Sequence, residues 1–179
     1  MFKVKPGRRL IGDFFIIFSL ALLMFIYYPY VSSFFLPSKV AGNSSYYIKI
    51  PKIKALADII ENVDPWDRKI YEKALEKGVA KAKGIDNFLF AHSSLSPWKM
   101  TRTNTPFLRL GELKRGDQII IHKDGKDYVY QVESKSEVWP NEVNLVLEKS
   151  KDYLILQTCT PLGTDWKRLL IFAKLTTKV

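Results

Sequence analysis

The sequence predicts an all-β domain, a barrel or sandwich with one or two short helices, behind a single N-terminal membrane helix. Three observations predict it. From about Tyr46 onward, short apolar runs recur with turn residues between them. One of those turns is "KDGK", and Asp-Gly between alternating runs is a strong hairpin signal. Near the start, the run from Phe14 to Leu36 carries no charged residue, which is about the length a helix needs to cross a bilayer.

The N-terminal element comes first. Lys3, Lys5, Arg8 and Arg9 precede the apolar run, and Tyr27, Tyr28 and Tyr30 lie toward its far end. Basic residues before the span predict a cytoplasmic N-terminus, and aromatic rings favour the membrane interface. Pro29 is expected to kink the helix or mark its exit. A cleaved signal peptide is disfavoured, because "SKVAG" puts Lys39 where a cleavage site needs a small residue. The division is therefore a cytoplasmic basic stretch over 1–13, an anchor over 14–36, a linker over 37–45 and an extracellular domain over 46–179. The linker "PSKVAGNSS" is short, small and polar.

Within the domain, "YYIKIPKIKA" alternates but contains Pro51, so it reads as an edge strand. "DPWDRKIYEKALEKG" reads as a helix with Asp64 as N-cap, Pro65 at the first helical position and Gly78 as terminator. Ile70, Ala74 and Leu75 form its apolar stripe. "NFLFAHSS" is a short strand ending at His92. "DQIIIHKDGKDYVYQVESK" is the hairpin, and "VNLVLEK", "YLILQTC" and "RLLIFAKL" read as three further strands.

Composition limits the functions. With 47% hydrophobic residues the chain can bury a core, so disorder is excluded. The net charge of +10 is spread among acidic residues with no dense basic helix, so nucleic acid is not an expected partner. No glycine-rich phosphate motif and no clustered Cys/His ligand spacing occurs.

The single cysteine, Cys159, cannot form an internal disulfide. It is either a small buried hydrophobe or a reactive group. Strand parity bears on the choice. In "RLLIFAKL", Leu169, Ile171, Ala173 and Leu175 share one all-apolar face, which predicts the core face. Arg168 and Lys174 then point outward. If Leu154, Leu156 and Thr158 face the core, Cys159 points outward at the end of its strand. The loop "TPLGTDWK" returns the chain antiparallel, so Cys159 and Arg168 come to lie side by side. A guanidinium there favours the thiolate and can bind a carbonyl oxygen. A thiolate nucleophile also needs a proton donor for the leaving amine. His92, at a strand end, suits that role better than His122, in mid-hairpin.

These residues resemble the sortases, membrane-anchored cysteine transpeptidases of bacterial surfaces, over about Ile48 to Leu175. The family's cysteine motif reads T-L-x-T-C, often continued T-P-x-G, with an arginine nine residues after the cysteine. "ILQTCTPLGTDWKRL" matches it at Leu156, Thr158, Cys159, Thr160, Pro161, Gly163 and Arg168. Ile155 replaces the first threonine and is expected to face the same groove as Cys159. The histidine motif is usually G-H-x; here "FAHSS" has Ala91 in place of glycine.

The resemblance implies an eight-stranded β-barrel in which Cys159 attacks a threonine-like carbonyl within an L-P-x-T-G-type sorting signal. Arg168 stabilises the oxyanion, and His92 protonates the departing amine and deprotonates the incoming one. Thr158 adds a donor near the reacting carbonyl, and Thr158, Ile155 and Ala91 line the substrate site. The implied partners are surface proteins bearing C-terminal sorting signals and an amine acceptor on cell-wall precursor or pilin. Some sortases bind calcium through loop carboxylates, and Glu112, Glu137 and Glu142 are expected in loops, but no cofactor or metal site is predicted. Two other functions remain open on the sequence: a tethered thiol peptidase with water as acceptor, and a degenerate barrel that only binds peptides.

Overall fold

The computed structural model describes residues 6–35, 45–96, 99–101 and 103–178. Most of the predicted linker, together with Leu36, Lys3 and Lys5, lies outside them. Helix α1 spans Pro6–Phe35. It begins before the uncharged run and passes through Pro29, which therefore does not end it. Among the described residues it is the one helix long and apolar enough to cross a membrane, over Leu10–Tyr28, and none of that stretch is buried.

Eight strands form a closed barrel: β1 (Tyr46–Ile50), β2 (Ala55–Val63), β3 (Val79–Ala82), β4 (Phe88–Phe90), β5 (Gln118–Lys123), β6 (Lys126–Val138), β7 (Leu154–Thr160) and β8 (Lys167–Lys178). Their order around the barrel is β1-β2-β3-β4-β7-β8-β6-β5. The hairpin forms as expected, and its turn residues Asp124 and Gly125 both take positive φ, 51° and 76°. That pair of angles matches the right-handed strand twist.

Several expectations change. β1 pairs with both β2 and β5, so it is no edge strand. Pro51 instead starts a 3-10 turn, Pro51–Ile53, in which the missing N–H costs nothing. Strands β2 ("ALADIIENV") and β3 ("VAKA") were not anticipated, although Asp64-Pro65 follows the first and Gly78 and Gly84 flank the second. Helix α2 is shorter than expected, Arg68–Leu75, and its N-cap is Asp67, whose carboxylate accepts from the Lys69 and Ile70 backbone N–H groups. Asp64 instead takes the Trp66 N–H at 2.9 Å in a turn before the helix. Ala74 and Leu75 are buried, but Ile70 is exposed. Gly78 follows the helix at a point where a Cβ would lie 2.4 Å from the Asp58 carbonyl oxygen, so close packing on β2, not helix ending, requires glycine there.

"VNLVLEK" is a helix, α3 (Val143–Lys149), not a strand. A seven-residue apolar run fits either period, and tertiary packing decides. The segment of α3 and the residues just after it packs on Phe172 of β8. Lys149 Nζ sits 4.8 Å from the Phe172 ring centroid, and Tyr153 meets the same ring edge-on. The outward residues Ile155, Leu170 and Phe172 are buried, as are the inward Leu169, Ile171 and Ala173. Leu175, expected in the core, lies past the last β7–β8 pair, Leu154–Ala173, and is exposed. Phe107, Leu110 and Leu113, from the long β4–β5 connection, are fully buried in the same core.

Candidate active site

Strands β4 and β7 run parallel, with Phe88, Leu89 and Phe90 beside Ile155, Leu156 and Gln157. His92 follows the end of β4, and Cys159 is near the end of β7. Parallel pairing therefore carries both residues to the same end of the barrel. β7 and β8 are antiparallel, and Cys159 is the direct cross-strand partner of Arg168, as the parity reading expected. His92, Cys159 and Arg168 all line one cavity of about 720 Å³.

Two hydrogen bonds hold the histidine strand against the cysteine strand. The Ala91 N–H donates to the Gln157 carbonyl at 3.1 Å. The Thr158 hydroxyl donates to the Ala91 carbonyl at 2.8 Å in a buried contact. These pin the residue before His92 to the residues before Cys159. A third bond, Gly163 N–H to Ser94 Oγ at 2.8 Å, ties the β7–β8 loop to the chain just after His92.

The thiol is pushed above the ordinary cysteine range, first by burial, with Asp165 adding to the push and Arg168 opposing it. Burial holds His92 below the usual imidazole range, against the carboxylates of Glu72 and Glu76 on and just after α2. Both groups are therefore neutral at rest near neutral pH, and the charged pair forms only when a proton crosses to the imidazole. The dependence on Arg168 gives a test. Alkylation of Cys159 by iodoacetamide should rise with pH to a midpoint above that of an ordinary thiol. Arg168→Ala removes the cation that favours the thiolate, so the midpoint should move higher still; a downward shift would contradict this electrostatic picture.

Ala91 lines the cavity, as expected. Ile155 does not: it is fully buried and contributes nothing to the cavity wall. Thr158 lines the cavity, but its hydroxyl proton is committed to the Ala91 carbonyl, so the expected donor to a substrate carbonyl is already engaged. His122 lies on β5, outside the cavity. Its Nδ1 is 2.6 Å from Asp127 Oδ1, and its ring stacks on Tyr47.

The three glutamates considered for calcium lie apart. Glu112 makes a two-pronged ion pair with Arg109 at 2.8 and 2.6 Å. Glu137 belongs to β6 rather than to a loop. The Glu142 carboxylate accepts the Trp139 backbone N–H. No group of three His, Cys, Asp or Glu side chains that could hold a metal ion occurs among the described residues.

The cavity walls were not anticipated. Trp66, Arg68, Tyr71 and Glu72 come from α2 and its approach; Trp139, Glu142 and Val146 come from β6–α3. Exposure of Trp66 and Trp139 is the physical sign of this rim, and an indole directly after "DP" or before "PN" is its only trace in the sequence.

Residues 48–176 match the family model of the sortase domain. Sortase D of Bacillus subtilis (strain 168) is 31% identical over 137 residues, 74% of this chain and 64% of that protein. Sortase A of Bacillus anthracis is 29% identical over 100 residues, 56% of this chain and 48% of that protein. The chain thus spans less than two thirds of either relative. Among solved structures, Clostridium perfringens sortase C with the C-terminal cell wall sorting motif superposes with a TM-score of 0.59 at 28% identity, covering 79% of this chain and 73% of that one.

Proposed function

The chain belongs to the sortase family, and from that premise we propose that it is a cysteine transpeptidase acting on an LPxTG-like sorting signal. Sortases are membrane-anchored cell-surface enzymes, and an apolar helix stands at the N-terminus of this chain. In our reading 14–36 is the anchor, the basic N-terminus is cytoplasmic and the barrel works outside, where its substrates are surface proteins carrying C-terminal sorting signals.

The observation that carries the reading is the direct pairing of Cys159 with Arg168 in the cavity that also holds His92. Cys159 gives its proton to His92 and attacks the threonine-like carbonyl. Arg168 donates to the oxygen as negative charge grows on it. His92 returns the proton to the departing amine, leaving a thioester. An amine of cell-wall precursor or pilin then takes the acyl group, with His92 as base.

Mass spectrometry of the purified domain incubated with candidate sorting peptides tests this. The expected result is a peptide cut after the threonine-like residue and an adduct of the N-terminal fragment on Cys159. Failure of every peptide to cut or to label, in a domain whose thiol still alkylates, would defeat the reading. Adding an amine separates transfer from simple hydrolysis.

A further inference from the structure

Tryptophan is highly buried on average in folded proteins, yet Trp66, Trp139 and Trp166 are 71%, 57% and 68% exposed. All three stand at the catalytic end of the barrel. Trp66 precedes α2, Trp139 follows β6, and both line the cavity that holds Cys159. Trp166 lies in the β7–β8 loop, between the cavity residue Asp165 and the start of β8. Leu162, in the same loop, is 50% exposed. Scattered single apolar residues are ordinary on a surface, whereas a cluster at one end marks an interaction site.

The N-terminal helix leads to the same end. None of its apolar span, Leu10–Tyr28, is buried. Tyr30, just beyond that span on α1, lines a hollow of about 140 Å³ together with Arg109, Cys159, Thr160 and Leu162. A helix that crosses the bilayer over Leu10–Tyr28 puts Tyr30 at the outer interface, where aromatic rings settle. Cys159 and Leu162, which share the hollow with it, then lie close to that level. Strand β1 begins at the opposite end of the barrel, beside the end of β5. The chain is long enough for this: from Phe35 to Tyr46 it can extend over about 36 Å, against about 23 Å for the seven residues of β7.

We propose that the catalytic end of the barrel docks on the outer surface of the bilayer, with Trp66, Trp139, Trp166 and Leu162 seated between headgroups and acyl chains; this rests on the reading of α1 as the membrane anchor. Indole suits that depth, because its ring is apolar while its N–H still meets water or a headgroup. Charge is not the attraction. At this rim Arg68 pairs with Glu72 at 2.7 Å, Arg109 with Glu112 at 2.6 Å and Lys167 with Glu137 at 3.9 Å, so lipid without net charge suffices. The seated side chains come from three separate segments, so docking fixes the tilt of the barrel as well as its height. The cleft is then held at the membrane surface, where a peptide that is itself tethered to the bilayer meets it.

α1 contains no tryptophan, so indole fluorescence of the full chain reports on the rest of the protein alone. The full chain is reconstituted into phosphatidylcholine vesicles whose acyl chains carry bromine close to the headgroup, and flotation is scored first. A chain that fails to float overturns the anchor reading and the docking with it. In floating vesicles the emission should be quenched relative to unbrominated lipid, and should stay quenched at high salt. Trp66→Ser, Trp139→Ser and Trp166→Ser should each remove part of the quenched emission, with thermal melts to confirm folding. Equal emission from brominated and plain vesicles would set the barrel clear of the bilayer and overturn the proposal with the anchor intact. Quenching that disappears at high salt, or that persists unchanged in all three variants, also overturns it, since charge or another surface would then make the contact. None of these readouts needs turnover, so failure of the transpeptidase reading leaves them decisive. Trp166 lines neither hollow, so Trp166→Ser adds a functional check. It should lower the cutting of a vesicle-tethered sorting peptide several-fold relative to the same peptide free in solution, and an unchanged ratio counts against docking.

Discussion

His92→Ala should abolish most acyl transfer, while His122→Ala should leave a near-normal rate in a folded protein. The two histidines differ in place, not in chemistry. His92 lines the cavity beside Cys159, and among the described residues it has no hydrogen-bonding partner, so its ring is free to exchange a proton with substrate. His122 is held by Asp127 and stacked on Tyr47 at a ring separation of 4.8 Å, away from that cavity. Losing a positioned general acid and base costs roughly 10²- to 10⁴-fold in rate. Here the thiol also lies above its ordinary range, so the thiolate is scarce unless a base takes its proton. The upper end of that range is expected. Steady-state transpeptidation of each variant, with a thermal melt to confirm folding, checks the ranking. Losing activity with His122→Ala but not with His92→Ala would overturn the site.

How the sequence carried this site, and where it misled, follows from the kind of interaction involved. Cys159 beside Arg168 was legible because it depends only on period-two alternation and one tight antiparallel return, both local properties. His92 was legible as a strand end. The hairpin was fixed by Asp124 and Gly125, whose positive φ is a local demand. What misled was cover from distant segments. Parity called Ile155 a groove residue because it shares a face with Cys159, and Leu175 a core residue because it shares one with Ile171. Ile155 is fully buried, Leu175 lies past the last β7–β8 pair, Leu154–Ala173, and the α3 segment packs on Phe172. That segment was itself misread, because "VNLVLEK" suits a strand until a barrel wall is there to receive it. The commitment of the Thr158 hydroxyl to Ala91 was equally hidden, since it joins residues 67 positions apart.

Arg168→Lys separates the two things a cation beside Cys159 can do. The guanidinium anchors itself by one nitrogen, Nη1, which donates to the Asp165 carbonyl at 2.7 Å and the Lys167 carbonyl at 3.3 Å. Its Nε and Nη2 donors have no partner among the described residues and lie on the residue directly across from Cys159. Anchoring by one arm restrains the guanidinium and leaves two donors for a forming oxyanion. A lysine keeps the charge but has a single donor atom. If it bonds to the Asp165 carbonyl it cannot also reach the substrate, and if it reaches the substrate it loses its anchor. Loss of one such donor typically costs about 3 kcal/mol, roughly 10²-fold in rate. Arg168→Lys should therefore fold normally and keep an alkylation profile for Cys159 close to wild type, because the charge that favours the thiolate is retained. Acyl transfer should nevertheless fall about a hundredfold. Lys167→Ala is the matched control. Lys167 lies on the opposite strand parity, 3.9 Å from Glu137 and over the Trp139 ring, and its loss should have a much smaller effect. Near-wild-type transfer by Arg168→Lys would mean that the guanidinium contributes charge alone, and its assignment as the oxyanion donor would fall.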